Sequence, residues 1–426
     1  MLDKAIAITT LAVVYVLMVS ERVHRTVAVI GGSLVLVGTR ILDGEDVVEF
    51  VHWEALGLVF GMFVLVAALA KSGFFRWIGL HMLQATKFNA FKVFLFNCCL
   101  SAFLAAFMDS ITVMVFMASL MIEICQILKI KPLPFLIGMI TSANIGGSAT
   151  MVGDPPNVII GSALNLGFLD FVMNTAPIAF IVFGVNFALF FIWYRKMFNS
   201  GKVDIEKIYE ENDNLRPASA IKDIKLMRIS LMAFAVTVTL LVLHQVLDIG
   251  IAFVAILGAA LVLTIAGKDA EDLVHNLDWH TIIFLAGLFV LVGGLEKTGV
   301  LTDIADGIVV LGQGNTVIIL TLILWVAALA SSAVDNVPFA AAMVPVIQRI
   351  SLDTGIPVSK LGYTLAMGCD VGGNGTPIGA SANVVGLAVA EKSDVHISWK
   401  DYCKSAYPIM LVCILIINLL VLLMFL

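Results

Sequence analysis

Residues 142–157 read SANIGGSATMVGDPPN, and 226 positions further on residues 368–383 read GCDVGGNGTPIGASAN. At that shift Gly146 and Gly147 fall on Gly372 and Gly373, Thr150 on Thr376, Gly153 on Gly379 and Asn157 on Asn383. Working outward with no gap, Asp109 falls on Asp335, Lys71 on Lys297, Gly73 on Gly299 and Trp53 on Trp279. Apolar sequence aligns with itself by chance, but not through Asp, Lys, Trp and Asn over the span from Trp53 to Asn157. The chain is two copies of one unit, and a fixed-period repeat governs the whole architecture. The copies occupy 1–198 and 229–426. Between them lies the long polar stretch 199–228, NSGKVDIEKIYEENDNLRPASAIKDIKLMR.

Composition identifies the solvent. Of 426 residues, 60% are hydrophobic and 13% charged, with a mean hydropathy of +1.04. A soluble domain is roughly half apolar and about a quarter charged. The excess cannot be buried in one globular core, so most of the chain faces lipid. Disordered, collagen-like and disulfide-scaffold classes fail on the same figures. The net charge of −6 describes the loops and gives no case for nucleic acid. Six cysteines (Cys98, Cys99, Cys125, Cys369, Cys403, Cys413) form no CxxC pair and no metal spacing with histidine. Neither a cofactor nor a metal is expected. The N-terminal run MLDKAIAITTLAVVYVLMVSERVHR lacks a small-residue cleavage site and reads as a retained first membrane helix.

A crossing needs about 20 apolar residues for a hydrocarbon core of roughly 30 Å. The first copy offers runs near 5–19, 26–42, 53–70, 91–128, 134–164 and 174–194. The fourth is too long for one crossing and carries Met108-Asp109-Ser110 at its middle, which reads as a re-entrant hairpin with Asp109 at the tip. The fifth is interrupted by the opening motif, which reads as a helix broken at the bilayer midplane. Such backbone is tolerated at depth only where protein or a water-filled cavity satisfies it. The expected fold is an all-α polytopic membrane protein: two inverted repeats of five crossings, each with a re-entrant helical hairpin and a midplane-broken helix. Scaffold and transport domains each draw on both repeats. With the N-terminus outside, twenty basic residues lie in cytoplasmic segments and only Lys4, Arg40, Lys297, Arg349 and Lys360 outside, the bias that sets orientation. In the second copy alone it thins to four against three. Both termini are then outside and 199–228 is cytoplasmic, in a plasma (inner) membrane.

Two counter-oriented copies with broken helices are the plan of a secondary transporter, with the site at the repeat interface. Polar residues at depth mark it. Asp109, Ser110 and Thr112 sit at one hairpin tip, Asp335 and Asn336 at the other. The first break holds Asn144, Gly146, Gly147, Ser148, Thr150, Asp154 and Asn157; the second holds Asp370, Gly373, Asn374, Thr376, Ser381 and Asn383. A carboxylate at the bilayer centre costs a few kcal/mol even on lenient scales. Four near that depth imply a neutralising cation, or protons held until the site opens. The glycine pairs are expected to let the backbone unwind there.

Taken alone, a Gly-Gly pair is more often close helix packing, and Asp-Pro-Pro-Asn more often a turn; recurrence at one offset favours a site. Glu123 is expected to reach toward Lys129. His52 and His280 flank equivalent tryptophans and read as interfacial anchors. No phosphate-loop, HExxH or GxSxG motif is present. The remaining different classes are a channel and an intramembrane enzyme built on Asp109 and Asp335.

At these residues the sequence resembles the ion transporter superfamily. It is most similar to arsenite/antimonite efflux permeases and their P-protein-like and sodium/proton-antiporter-like relatives. SANIGGSATMVGDPPNVII resembles the P-protein-type signature, and GCDVGGNGTPIGASAN resembles a segment of bacterial arsenite permeases. The likeness implies an elevator-like mechanism and proton-driven export of arsenite and antimonite. Its tip residues map onto Asp109-Ser110 and Asp335-Asn336, and its broken-helix residues onto Asn144 to Asn157 and Asp370 to Asn383. It also brings the expectation of a homodimer and of a soluble ATPase docking on the linker. Dicarboxylate members carry Ser-Asn-Thr at each tip where this chain has Asp-Ser-Ile and Asp-Asn-Val, and aspartate there repels a dianion. Arsenite in water is chiefly neutral As(OH)₃, which oxygen-rich side chains can hydrogen-bond. Cys369 beside Asp370 reads as a small buried hydrophobe rather than an arsenic ligand. The Asp-Pro-Pro-Asn segment is more typical of the antiporter-like branch, which keeps a sodium/proton exchanger open, with a dicarboxylate symporter third.

Overall fold

The computed structural model describes residues 2–20, 22–198 and 215–426. Residues 199–214, most of the polar stretch between the copies, lie outside the described residues. Among the described residues every element is helical, and nine helices are long and apolar enough to cross a membrane.

The repeat is visible in helix bounds. Trp53–Ser72 is matched by Trp279–Lys297, and Arg25–Gly38 by Ile251–Ala266. The first hairpin, Ala90–Phe107 and Ser110–Ile127, is matched by Thr316–Ala333 and Asn336–Thr354. Leu2–Val19 and Phe168–Tyr194 are matched by Ile224–Leu247 and Trp399–Phe425. Ile224–Leu247 begins inside the stretch 199–228. Ten full crossings were expected; the nine qualifying helices include three hairpin arms, Ala90–Phe107, Ser110–Ile127 and Thr316–Ala333, whereas Arg25–Gly38 is short and neither broken segment forms one long helix. The first is Leu133–Gly147 followed by Pro155–Ala163; the second is Val358–Gly372 followed by Ser381–Lys392. Pro155 and Pro156 open the second piece, where a missing N–H costs nothing and the ring fixes a helical φ. They cannot extend the first piece backward.

Two amphipathic helices escaped the sequence reading: Phe74–Thr86 and Val300–Gly312. Each follows a glycine in the left-handed region, Gly73 at φ +90° and Gly299 at φ +76°. That conformation suits glycine and turns the chain sharply. A short helix, Gly44–Phe50, starts on a capping box between Asp43 and Asp46. Lys297 binds Asp46 at 2.5 Å and holds its carboxyl below the ordinary range. Glu123 does not reach Lys129; it makes a bidentate pair with Arg76 at 2.7 and 3.0 Å. The equivalent tryptophans behave alike, with the Trp53 and Trp279 indole N–H groups donating to Val48 and Val274 carbonyls.

Packing sorts the helices into two groups. In the first, Trp53–Ser72 lies on Ile251–Ala266, and Trp279–Lys297 on Arg25–Gly38, so each repeat completes the other. In the second, the leading arm of each hairpin lies along the leading piece of the broken segment in its own repeat. The glycines expected to unwind the backbone are used for this contact instead. A Cβ on Gly146 would stand 2.1 Å from the Ala102 carbonyl oxygen, and one on Gly372 would stand 2.3 Å from Ala328 Cα. Neither takes a positive φ. Both close a backbone-to-backbone approach that any side chain would force open.

Gly146→Ala and Gly372→Ala are therefore predicted to cost about 1–3 kcal/mol each by overpacking. The readout is a lower apparent Tm of the purified protein in detergent. Gly31→Ala, where a Cβ would meet nothing within 4 Å, should leave Tm unchanged or raise it.

Candidate functional site

Each hairpin turns on an aspartate. Asp109 has φ −49° and ψ 127°, Asp335 has φ −51° and ψ 134°, and each caps the second arm of its hairpin. One Asp109 carboxylate oxygen accepts from the Thr112 backbone N–H at 3.1 Å and from its hydroxyl at 3.3 Å. Asp335 accepts from the Val337 N–H at 3.0 Å. A capping carboxylate meets otherwise unpaired amides at a helix start, so local chemistry places both tips.

The next residue of each tip reaches the same target. Ser110 donates to one oxygen of Asp154 at 2.5 Å, and Asn336, its repeat equivalent, donates to the other at 3.0 Å. Asp154 stands directly before Pro155–Ala163 but makes no side-chain cap there. Its carboxyl is 4% exposed and is spent on the two hairpins instead. Two hairpins, 226 residues apart in sequence, thus clasp one buried acid.

Asp370 is fully buried, and it and Asp154 act on each other's charge. Two carboxylates set against one another away from water disfavour the doubly charged state. Asn157 fixes Asp370 from the far side at 2.7 Å while donating to the Gly147 and Thr150 carbonyls at 3.0 and 3.2 Å. Asn383 repeats this in the other break, donating to Gly373 and Thr376 carbonyls at 2.8 Å each. Its own oxygen accepts from Asn144 at 2.8 Å, and Asn144 also donates to Asn374 at 2.9 Å. Asn144 and Asp370 are equivalent under the repeat. The lattice is two-fold in plan, but its acids make it chemically one-sided: Asp370 stands opposite Asn144, and Asp154 opposite Ala380.

Thr150 and Thr376 brace the breaks by donating to the Ala106 and Ser332 carbonyls, the latter at 2.6 Å. Ser148 is buried but donates to Ile145 in its own turn. Gly147 and Gly373 are packed beside the Gly153 and Gly379 carbonyls. Ser381 donates to Asp335 at 2.6 Å.

Four oxygens of this cluster accept nothing from a fixed donor: Asp109 Oδ1, Asn144 Oδ1, Asn157 Oδ1 and Asp370 Oδ1. Buried acceptors are normally satisfied. The site is therefore rich in acceptors and short of donors. Asp109 also borders a cavity of about 520 Å³ that Thr112, Lys71, Asp272 and Asp278 share. Asp278 caps Trp279–Lys297 by accepting from Thr281 at 3.1 and 2.6 Å. A second cavity, of about 350 Å³, lies at Asp335, Ser381, His24 and Arg25.

Asp278 and Arg25 were missed from sequence. Asp278 stands opposite His52 in the repeat, so no recurrence flagged it, and Arg25 looked like a loop cation at a helix start. Among the described residues no group of three or more His, Cys, Asp or Glu has metal-holding geometry. Cys369 is buried.

Comparison with known proteins bears on this geometry. Residues 15–368 match the family model described as citrate transporter, CitMHS. A 46 kDa membrane protein of Mycobacterium leprae is 32% identical over 421 residues, covering 96% of both chains. A protein of Mycobacterium bovis described as an uncharacterized transporter is 31% identical over 94% of both. The human P protein is 32% identical over 96% of this chain, which spans 58% of that longer protein. Among solved structures, the YdaH transporter of Alcanivorax borkumensis, described as having an unusual topology, superposes with a TM-score of 0.62. It covers 89% of both chains at 13% identity, a likeness of fold alone.

Asn157→Ala would leave the Thr150 carbonyl and Asp370 without a donor, at about 1–3 kcal/mol for each unsatisfied group. It is predicted to lower the apparent Tm of the purified protein well beyond the effect of Ser148→Ala, which loses a bond within its own turn.

Proposed function

The chain belongs to the citrate transporter family and is a multi-pass membrane transporter; from that footing we propose that it exchanges protons for a donor-rich solute, exporting arsenite and antimonite. The observation that carries this reading is the surplus of acceptor oxygens around an Asp154–Asp370 pair that disfavours the doubly charged state. As(OH)₃ arrives neutral with three hydroxyl donors, which suit oxygens that have none. Protonated and cargo-bound forms then alternate at one site. Counter-oriented repeats give the two access states, with the hairpins and broken segments moving against the group built on Trp53–Ser72 and Trp279–Lys297.

In this mechanism Ser110 and Asn336 fix the Asp154 carboxyl, so that cargo meets a preset acceptor. Asn157 and Asn383 hold the breaks open by occupying the carbonyls a continuous helix would use. Asp109 lies on the wall of the larger cavity, inward of the half-buried Lys71 and the exposed Asp272 that an entering solute meets first.

The family description supports a second reading, citrate. A bare citrate trianion would meet Asp109, Asp154, Asp335 and Asp370 together, and like charges repel at such range. Citrate suits the site only when protons or a bound metal ion cancel its charge.

Everted vesicles loaded acidic inside separate these readings. Arsenite uptake that collapses with the pH gradient is expected, with Asp109→Asn and Asp370→Asn falling to background. Citrate uptake without arsenite uptake would replace the cargo. Sodium-driven proton movement with no arsenite response would make the protein a sodium/proton exchanger.

A further inference from the structure

The two hairpin tips are equivalent in sequence and backbone, yet their carboxylates are not equally engaged. Asp109 keeps one oxygen without a donor and borders the larger cavity. Asp335 spends its second oxygen on Ser381 at 2.6 Å and on the Arg25 guanidinium at 3.4 Å. Arg25 also donates to the Ser381 hydroxyl at 2.5 Å and to Thr281 at 3.2 Å, and its guanidinium lies 5.3 Å from the Phe284 ring centre. A planar donor fork stacked on an aromatic face is a defined position rather than a loose surface charge.

The repeat shows that this arrangement is one-sided. Arg25 opens its helix where Ile251 opens the equivalent one, and Ser381 stands where the other copy has Pro155. The equivalent positions therefore bring neither cation nor bridging hydroxyl to Asp109; Thr112 donates to it, and Lys71 and Lys222 line its cavity but, among the described residues, form no ion pair with it. Arg25, Thr281 and Phe284 belong to the packing group built on Arg25–Gly38 and Trp279–Lys297, whereas Asp335 and Ser381 belong to the hairpin and broken segment. The bridge joins the two groups.

We infer that Arg25 is a built-in cation: it occupies at Asp335 the place that an exchangeable proton or cation takes at Asp109, so one tip is filled permanently and one is loaded in each cycle. The same contact latches the second hairpin to the opposite group, and it must break whenever the hairpin moves. His24, Tyr15 and Asp154 are the other ionisable groups set against this tip. The inference rests on the transport reading only in naming what Arg25 stands in for.

Dicyclohexylcarbodiimide tests it, because the reagent adds to protonated carboxyls in apolar surroundings and the modified residue is located by peptide mass spectrometry. On the purified full-length protein at neutral pH and without cargo, Asp109 should label and Asp335 should stay protected. Arg25→Gln should expose Asp335, raising its labelling severalfold to the level of Asp109, while Arg25→Lys should keep it protected. If Arg25→Gln folds poorly, Arg25→Gln combined with Asp335→Asn removes both charges and should restore folded yield. Equal labelling of both tips in the unaltered protein, protection of Asp335 in Arg25→Gln, or no recovery in the double variant would overturn the assignment. Labelling is read without any solute, so failure of arsenite exchange would leave this result standing.

Discussion

A carboxyl group removed from water must be neutralised or fully hydrogen-bonded, and the middle of this protein is organised around one that is. Asp154 receives Ser110 from one hairpin and Asn336 from the other. Without that clasp the acid would be a large penalty in a helical membrane protein. With it, the two hairpins and the first broken segment become one unit. The prolines after Asp154, the caps on Asp109 and Asp335, and the glycine contacts behind the breaks all keep those three pieces in reach of one another.

Function enters where the symmetry fails. Asn157 and Asn383 hold equivalent carbonyls in the two breaks, but only Asn157 also donates to an acid. Several exchanges break the balance, first of all Asp154 itself, which stands where the other copy has Ala380. Asp370 replaces the amide of Asn144 and sets a second acid against Asp154, while Arg25 supplies a cation at one tip and not at the other. A symmetric amide lattice would be only structural. The acid pair, with an open aspartate at one tip and a filled one at the other, distributes charge unevenly between the two halves.

Much of this was legible in the chain. The shift of 226 found both breaks and both tips, because glycine, proline and aspartate are punctuation that apolar sequence rarely repeats by chance. The job of Gly146 and Gly372 was not legible, since close packing and unwinding call for the same residue and only the neighbouring Ala102 and Ala328 backbones decide between them. Phe74–Thr86 and Val300–Gly312 were missed because an amphipathic helix lacks the long apolar run that signals a crossing. Partner choice was hidden for a different reason. Glu123 had Lys129 near in sequence and Arg76 near in space, and Arg25 lies 310 residues from Asp335. Local pattern places a residue on an element; only packing tells it whom to meet.

We propose that protons and cargo take turns at the Asp154–Asp370 pair. The most direct test is to count protons released when arsenite binds the purified protein in lightly buffered detergent solution. Release on binding, lost in Asp370→Asn, is the expected result, with apparent affinity rising as pH rises. Arsenite binding with no proton release, or proton release unchanged by Asp370→Asn, would contradict it.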